Sequence, residues 1–333
     1  MDTSKKIIED TLKELNKRHG EGSVLQVGKK NSMNVESMST GCYSLDYVFA
    51  CGGLPRGRMI EIFGNESSGK SSLALFLVSQ VQKQGGKALW IDVEFSFNRL
   101  HAEKNGVNVD DLILSQPGSA EDALDILRKM MNTGVIDIIV LDSVAALVPE
   151  KELDKEVSDT SIAEQARLMS KVLRMITGEI SRTKTSVVFI NQVRDKVGIM
   201  WGSKVTTSGG KALKFFASVR LEVKKKEKLL NSSKDVVGSR MEVCAVKNKV
   251  GFPWRRCEFD LYFYHGIDIV ADIFDAGVAH KIIEKNGHTY IYSGNQLGVG
   301  RDKSKDVLFQ DSDMCARIIE QLKKMDNEAL SAS

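Results

Sequence analysis

Gly64-Asn65-Glu66-Ser67-Ser68-Gly69-Lys70-Ser71 is the stretch of sequence that decides the fold, because it matches a phosphate-binding loop. The apolar runs Met59 to Phe63 before it and Leu73 to Val78 after it predict a strand and a helix on its two sides. In such a loop, backbone N–H groups surround phosphate oxygens, Lys70 reaches the β and γ phosphates, and the Ser71 hydroxyl joins the magnesium shell. The sequence therefore predicts binding of a nucleoside triphosphate. The predicted nucleotide-binding residues here are Gly64, Glu66, Ser67, Ser68, Gly69, Lys70, Ser71 and Ser72.

Length and composition set limits on what surrounds this loop. A chain of 333 residues with 42% hydrophobic content can fill one α/β core and leave material for small appended modules. The five cysteines form no C-x-x-C pair, which argues against both a disulfide framework and a zinc site. No apolar run approaches the length that spans a bilayer, and the first residues lack the apolar core of a signal peptide. We expect a cytoplasmic protein with no membrane contact.

Basic charge is concentrated in one part of the chain. Residues 194–256 hold sixteen Lys and Arg against five Asp and Glu, a net charge of +11, whereas the whole chain carries +3 and the remainder −8. Part of this charge, Lys224 to Lys228 at a predicted strand end, could be a solvated edge that discourages strand pairing. It could equally form a surface that binds a polyanion. Charge alone does not decide between the two.

Strand-like and helical runs alternate through most of the chain, from about Val35 to Asp268, which predicts a mainly parallel sheet covered by helices. The fold class is thus α/β, with the phosphate-binding loop in the core. The predicted strands are Met59 to Phe63, Ala88 to Asp92, Leu112 to Ser115, Asp137 to Leu141 and Ser186 to Asn191, and the main helices are Ala120 to Asn132 and Ser161 to Arg182. Three later runs without long helices between them predict added antiparallel strands: Ser218 to Val223, Arg240 to Lys247 and Cys257 to Tyr264.

Two small modules flank this core. A helix over Ser4 to Arg18 has one apolar stripe, which would pack on its own domain or on a neighbouring subunit. Residues from Ile269 onward predict a small α+β module with helices near Val270 to Ala276 and Ser312 to Met325 and a strand at Tyr290 to Tyr292. The predicted domains are 1–33, 34–268 and 269–333.

Polar residues that end the apolar runs are candidates for chemistry, because ligands of such sheets lie beyond the carboxyl ends of the strands. Asp142 ends the run Val135 to Leu141, and we favour it as a magnesium ligand over the alternative of a helix N-cap. Asp92 and Glu94 end another run. A carboxylate there could orient or deprotonate a water for attack on the γ-phosphorus, although a carboxylate at a strand end is more often structural.

Gln192 closes a further apolar run and could sense the γ-phosphate by a hydrogen bond. The residues after it, Arg194 to Gly210, are too rich in glycine and too mixed in polarity for a packed element, and long loops of this kind are usually functional or disordered. Cationic side chains mixed with apolar and aromatic ones suit a surface that neutralises phosphates and stacks on bases. Those side chains include Lys196, Met200 and Trp201.

The order of these motifs closely resembles that of the bacterial RecA recombinases, over nearly the whole chain. The matching segments are Met38 to Gly41, Gly52 to Arg58, Glu66 to Lys70, Leu141 to Leu147, Phe189 to Gln192, Gly209 to Arg220 and Val246 to Lys249. The resemblance implies helical filaments on single-stranded DNA with ATP and Mg²⁺ at subunit interfaces, pairing with double-stranded DNA, and strand exchange. It also implies that the filament activates self-cleavage of a LexA-type repressor in an SOS response to DNA damage.

The resemblance also implies roles for individual residues. Glu94 would be the base that orients the attacking water, Lys70, Ser71 and Asp142 the phosphate and magnesium set, and Gln192 the γ-phosphate sensor. Lys247 and Lys249 would reach the phosphates bound by a neighbouring subunit, and their absence from an isolated protomer would explain why hydrolysis needs a filament. The first helix would dock on the adjacent subunit, with Phe215 at the same interface.

The two DNA loops of the family map to about Glu156 to Ala163 and to Arg194 through Gly210. This mapping places Ile162 and Val197 where side chains wedge between base triplets. The residues that would hold phosphates are Arg167, Arg174, Arg194, Gly209 and Gly210. The resemblance therefore favours DNA as the ligand of the basic segment.

Several positions depart from the family pattern. Asn98 and His101 stand where Asp and Tyr usually surround adenine, and Arg99 replaces a proline. Asp195 introduces an acid into the second DNA loop, and Lys211 adds a cation nearby. The usual acidic tail is missing, so we expect that truncation of the last eight residues would barely change the uptake of duplex DNA.

Two other classes of function carry a phosphate-binding loop. A ring-forming helicase of related core would show closed hexamers and processive unwinding. A P-loop kinase for a small molecule would need neither the loop from Arg194 to Gly210 nor the +11 segment.

Overall fold

The computed structural model describes residues 3–20, 23–24, 35–153, 162–195 and 205–331. The chain divides into two compact units, Met1–Glu36 and Ser37–Ser333. The first unit contains helix α1, Thr3–His19, which confirms the predicted helix over Ser4 to Arg18. The helix is followed by Gly20, whose φ of 98° is in the left-handed region. The prediction of a module boundary at residue 33 is not tested by this division.

A ten-stranded sheet forms the centre of the second unit and confirms the α/β class. Its strand order is β12-β11-β10-β9-β3-β7-β6-β4-β5, with β8 paired to β7. The six strands from β9 to β5 in this order run parallel to their neighbours, and β10, β11 and β12 are antiparallel additions, as predicted. The strands are β3 Met59–Gly64, β4 Ala88–Asp92, β5 Leu112–Ser115, β6 Ile138–Asp142, β7 Ser186–Asp195, β8 Val205–Thr207, β9 Val219–Leu230, β10 Val236–Asn248, β11 Arg256–Tyr262 and β12 Gly266–Ile267; the two-residue strands β1 Ser37–Met38 and β2 Leu54–Pro55 pair separately.

Helices cover both faces of this sheet, because alternate side chains of each buried strand enter two different apolar cores. Ile60 and Ile62 of β3 pack with the helix that follows the phosphate-binding loop, whereas Met59 packs with the two long helices on the opposite face. The helices are α2 Tyr43–Phe49, α3 Lys70–Lys83, α4 Arg99–Lys104, α5 Ala120–Asn132, α6 Glu150–Leu153, α7 Ile162–Thr183 and α8 Ala212–Phe216, with a 3-10 turn at Val144–Ala146.

The C-terminal part of the second unit has a core of its own. Phe274, Tyr290 and Leu308 are among the buried residues that hold together three helices and a small antiparallel sheet. This arrangement confirms the predicted α+β composition, while the boundary at residue 269 stays a prediction. The elements are α9 Ile269–Ala279, β13 Ile283–Asn286, β14 Thr289–Tyr292, β15 Asn295–Val299, α10 Arg301–Gln310 and α11 Ser312–Ser331.

The structure corrects two predictions about the basic segment. Lys224 to Lys228 do not end a strand but lie inside β9, which continues to Leu230. Only residues 219–222 of β9 pair with β3, so the rest of the strand extends past β3 and pairs with β10. Arg194 to Gly210 is also not wholly irregular, because Val193 to Asp195 at the end of β7 pair antiparallel with β8. Among the helices described here, none has the length and apolar content needed to cross a membrane.

Candidate functional site

The phosphate-binding loop joins β3 to α3, and two of its glycines are required, Gly64 by a close backbone contact and Gly69 chiefly by its backbone conformation. A Cβ on Gly64 would lie 2.2 Å from the carbonyl oxygen of Val223, and one on Gly69 would lie 2.9 Å from Cε of Met241. Gly69 also has a φ of 84°, which side chains rarely adopt. The backbone can therefore follow this path only with glycine at both positions, and the path exposes the first N–H groups of α3 at the mouth of the loop.

Lys70 and Ser68 place hydrogen-bond donors where an anion could bind. The Nζ of Lys70 donates to the carbonyl oxygens of Gly64 (3.1 Å) and Asn65 (2.7 Å). Burial lowers the pKa of this lysine, whereas the nearby carboxylates of Asp142 and Glu94 oppose that shift. The Oγ of Ser68 is buried and has no hydrogen-bond partner within the described residues. A phosphate oxygen would satisfy both groups, so the loop fits the triphosphate that its sequence predicts.

Ser71 and Asp142 form the second half of the candidate site. Asp142 is the last residue of β6, and its Oδ2 accepts a hydrogen bond of 2.9 Å from the Ser71 hydroxyl. Burial raises the pKa of Asp142 to about 6, and the neighbouring acids Glu94 and Asp92 act in the same direction. A divalent cation would relieve this carboxylate, and Mg²⁺ is usually held through one or two carboxylates together with substrate phosphates. The described part of the chain contains no group of three His, Cys, Asp or Glu residues arranged for a metal ion.

Glu94 and Asp92 occupy very different surroundings. Asp92 is buried, and its two oxygens accept hydrogen bonds from the backbone N–H groups of Ser96 and Phe97 and from Gln116. Glu94 is exposed. The sequence alone allowed either carboxylate to activate a water. In the structure, Asp92 instead stabilises the turn after β4 through its hydrogen bonds.

A short hydrogen-bonded chain crosses the carboxyl ends of three neighbouring strands. Glu94 Oε1 accepts hydrogen bonds from the Ser143 hydroxyl and, at 3.4 Å, from Nε2 of Gln192. The backbone N–H of Gln192 donates to the side chain of Asn191 (2.9 Å). Sequence reasoning missed Ser143, because only its position beside Asp142 at the sheet edge brings it to Glu94.

A cavity of about 370 Å³ opens beside the loop. His101 lies in its wall, with Nε2 3.1 Å from the hydroxyl of Ser72. The Asn98 side chain instead caps α4 by accepting from the N–H of His101 (2.9 Å). Its oxygen is therefore already occupied in the fold. The other residues lining the cavity are Ser67, Ser68, Gly69, Lys70, Ser71, Lys225, Ser239, Met241, Leu261, Tyr262 and Phe263.

Half of that wall was not predicted from the sequence, since Ser239 and Tyr262 come from strands far away along the chain. The only signal for Tyr262 was its place in the aromatic run Tyr262 to Tyr264 at the end of β11, and Ser239 had none.

Glu66, which the phosphate-binding motif also includes, is exposed.

Lys247 and Lys249 lie at a different surface from the loop. The Nζ of Lys247 donates to the carbonyl oxygens of Lys214 (2.7 Å) and Phe215 (2.8 Å), and that of Lys249 to Phe215 (3.2 Å). Burial lowers the pKa of Lys247 to about 8, and repulsion from Lys249 adds to the effect. Phe215 is 72% exposed beside them. An exposed ring of this size next to two cations suits contact with another macromolecule.

The candidate DNA-binding residues fall partly outside the described chain. Arg167 and Arg174 are exposed on α7, and their spacing of seven residues puts them on one helix face. Arg194 donates from Nε to the hydroxyl of Ser208 (2.9 Å), and Lys211 is exposed just before α8. Ile162 begins α7, but its side chain lies outside the described residues, as do Lys196, Val197, Met200, Trp201 and residues 154–161.

Gly209 and Gly210 are needed for packing at the end of the second loop. Their φ angles are 76° and 78°. A Cβ on Gly209 would lie 2.7 Å from Cγ1 of Val144, and one on Gly210 2.9 Å from Cβ of Ala166. This position joins the loop to the start of α7 and to the segment that follows Asp142.

Comparisons with known proteins agree along almost the whole length of the chain. Family models described as the RecA N-terminal domain and the RecA C-terminal domain match residues 6–268 and 271–325. The Protein RecA of Limosilactobacillus reuteri (strain DSM 20016) is 41% identical over 97% of this chain and 89% of its own length. Those of Clostridium novyi (strain NT) and Bacillus subtilis (strain 168) are each 43% identical, over 97% and 94% of this chain and 92% and 90% of their own lengths.

Proposed function

The chain belongs to the RecA family, and from that premise we propose which of its residues carry the reaction. Membership makes it a recombinase: a DNA-dependent ATPase that forms filaments on single-stranded DNA and catalyses homologous pairing and strand exchange. The observation that carries the proposal is the edge of the sheet where β3, β7, β6 and β4 end. That edge brings together Lys70, Gln192, Asp142 and the nearby Glu94.

We propose ATP and Mg²⁺ as the ligands of the loop. The N–H groups at the start of α3, the Ser68 hydroxyl and the Lys70 ammonium would bind the phosphates, and Ser71 with Asp142 would hold the metal. Bound Mg²⁺ neutralises charge that develops on the phosphate oxygens. The base would occupy the cavity beside His101, where Tyr262 and Phe263 offer aromatic contact.

Glu94 is the proposed group that orients the attacking water. It is exposed, it stands where Gln192 can bridge it to the nucleotide, and two side-chain donors fix its position. Gln192 would exchange its long 3.4 Å contact with Glu94 for the γ-phosphate. The movement of Gln192 in this exchange would act directly on the second DNA loop, since Gln192 lies only two residues before Arg194.

We propose that a second protomer completes the site. Lys247 and Lys249 point their ammonium groups at the last carbonyls of α8, beside exposed Phe215, and would instead contact the γ-phosphate bound by the neighbouring subunit. The first helix, α1, would dock on that neighbour. An isolated protomer would then lack two of the cations that stabilise the transition state.

The proposed DNA contacts are sequence-independent. Arg167 and Arg174 on α7 and Arg194 at the end of β7 would neutralise phosphates of single-stranded DNA, and the loop between β7 and β8 would wedge between bases. Double-stranded DNA would enter the same filament for pairing. Because its substrate would be chromosomal DNA, we place the protein in the bacterial cytoplasm.

We further propose that the filament stimulates self-cleavage of a LexA-type repressor, as its family resemblance implies. Incubation of a purified repressor of this type with the protein, ATP and single-stranded DNA should yield two fragments. Omission of either ATP or DNA should leave the repressor intact, and cleavage that ignores both would contradict this part of the proposal.

ATP hydrolysis measured with and without single-stranded DNA, with electron microscopy of the same samples, tests the proposed function. We expect stimulated turnover and open helical filaments. Closed hexamers with processive unwinding would favour the helicase alternative, and DNA-independent turnover without filaments would favour a small-molecule kinase.

A further inference from the structure

Glu61 is a charged residue in the middle of the central sheet. It lies on β3 opposite Phe189 of β7 and Arg220 of β9, and none of its side chain is exposed. Burial of a carboxylate costs free energy unless hydrogen bonds and a countercharge offset it. A purely structural position in this sheet would be filled more favourably by an apolar residue, as at Ile60 and Ile62.

Both oxygens of this carboxylate are engaged. Oε1 accepts a hydrogen bond of 3.0 Å from Nδ2 of Asn191, and Oε2 accepts one from Nε of Arg220. The guanidinium of Arg220 also stacks on the ring of Phe63, with Cζ 4.5 Å from the ring centroid. The Glu61 side chain therefore joins two neighbours that belong to different strands.

One of these neighbours leads to the second DNA loop. The same Nδ2 of Asn191 donates to the carbonyl oxygen of Ser208 (3.0 Å), and its Oδ1 accepts from the backbone of Gln192 (2.9 Å). Ser208 in turn accepts from Arg194 (2.9 Å). Asn191 is thus bonded to residues at both ends of the loop, and Glu61 holds Asn191.

The other neighbour leads to the interface lysines. Arg220 pairs in register with Lys247 of β10, whose ammonium caps α8 beside Phe215. Like charges in adjacent positions repel each other, and Glu61 neutralises Arg220 where the two cations meet. A displacement of Lys247 toward a neighbouring phosphate would therefore reduce the charge repulsion that acts on Arg220 and so alter its pairing with Glu61.

We propose that Glu61 is a positioning residue that makes the second DNA loop and the interface lysines change position together. This inference rests on the proposed function. Glu61 is wholly buried and so touches neither nucleotide nor DNA. Its two oxygens accept hydrogen bonds from Asn191 on one neighbouring strand and from Arg220 on the other. A movement of Asn191 with the loop would therefore displace Arg220, and a movement of Arg220 would displace Asn191 and the loop. Two strands separated along the sequence thereby share one buried charge.

Glu61→Gln tests the proposal, because it keeps the size of the side chain but removes its charge. It also sets an amide donor against one of the two donors, Asn191 Nδ2 or Arg220 Nε, that the carboxylate accepts from. The readout is the affinity for a single-stranded oligonucleotide with a non-hydrolysable ATP analogue, divided by the affinity without nucleotide. We expect this ratio to fall about tenfold, while the affinity for the analogue without DNA changes by less than about twofold. A ratio in Glu61→Gln equal to that of the unaltered protein would overturn the inference.

Asp46→Asn is the matched control. Asp46, on α2 and away from the loop, is also a buried carboxylate, and it accepts hydrogen bonds from the hydroxyls of Ser39 and Thr40 (both 2.6 Å). It should leave the ratio unchanged, and an equal fall in this variant would show that Glu61 acts only through stability. If Glu61→Gln does not fold, Arg220→Lys decides: it keeps a cation opposite Glu61 but loses the planar contact, and an unchanged ratio would overturn the inference. Absence of any nucleotide dependence in the unaltered protein would instead refute the proposed function itself.

Discussion

At the scale of single residues, the two carboxylates after β4 separate into one that builds the site and one that would act in it. Asp92 is buried and accepts hydrogen bonds from the backbone of the following turn and from Gln116, whereas Glu94 is exposed and accepts hydrogen bonds from Ser143 and Gln192. A general base must be accessible to the proton that it takes, and only Glu94 meets that requirement.

The first prediction concerns Glu94→Gln. Gln retains the hydrogen bonds but cannot accept a proton, so ATP-dependent DNA binding should persist while hydrolysis falls at least about 100-fold. Single-turnover hydrolysis on single-stranded DNA measures the loss, with oligonucleotide binding measured on the same sample. Near-normal hydrolysis would show that another group orients the water.

The second prediction concerns the pH dependence that Asp142 confers. A Mg²⁺ ion held by Asp142 would need the ionised carboxylate. Burial raises the pKa of Asp142 to about 6, so affinity for Mg²⁺–nucleotide should weaken as the pH falls through this value. Calorimetric titration across about pH 5 to pH 8 would follow it. Asp142→Asn should weaken binding and remove the pH dependence, and an affinity of the unaltered protein that ignores pH would contradict the assignment.

The same pKa sets the sign of a stability effect without ligand. The folded state holds the Asp142 proton more tightly than the unfolded state, so this contribution to stability is present at low pH and is lost as the pH rises through about 6. Asp142→Asn should therefore raise the free energy of unfolding at neutral pH, by up to about 3 kcal/mol. Destabilisation by this variant would indicate that the ionised carboxylate is compensated in the free protein.

The sequence identified the phosphate-binding residues because their spacing itself defines a mechanism. It could not separate Asp92 from Glu94, since the difference is burial, and it missed Ser143 and Ser239. These residues reach the site only through the pairing of strands that are distant along the chain.

At the scale of elements, a ring of alternating charges fastens α9 and α10 to the central sheet. Asp260 of β11 accepts hydrogen bonds from Arg240 (2.9 Å) and Arg301 (3.1 Å), and both arginines also bind Asp275 of α9 (3.0 and 2.8 Å). Asp260 is only 3% exposed, so its loss would leave two partly buried cations short of a partner.

The fourth prediction is that Asp260→Asn lowers the free energy of unfolding by about 2 kcal/mol. Denaturant unfolding measures the change. Asp110→Asn is the control, because Asp110 pairs with Arg99 on the surface and is 82% exposed; that change should cost less than about 0.5 kcal/mol. Equal effects of the two variants would mean that the ring adds nothing to an ordinary surface pair.

The strands β4 and β5 were predicted to the residue because each is a compact apolar run, and helix α5 was predicted to the residue because its period and its N-cap agree. The outer half of β9 was not, because five of its residues are charged and only its partner β10 makes it a strand. The sequence did not predict β13 either, because three of its four residues are polar, nor α8, whose five residues cover little more than one helical turn.

At the scale of the whole molecule, the proposed active site is divided between two surfaces of one protomer. Lys70, Asp142 and Glu94 lie at one edge of the sheet, whereas Lys247 and Lys249 lie beside exposed Phe215 on another. A head-to-tail contact between copies would unite them, and such contacts generate helical filaments when they do not close. The sequence could predict this arrangement only through its family resemblance.

Mixing two inactive variants tests this division most directly. Glu94→Gln keeps Lys247, and Lys247→Ala keeps Glu94, so about a quarter of the interfaces in an equal mixture would hold both groups. We expect each variant alone to hydrolyse ATP poorly on single-stranded DNA and the mixture to recover about a quarter of the normal rate. Recovery that is absent from mixed filaments, or full activity of Lys247→Ala alone, would contradict a site shared between protomers.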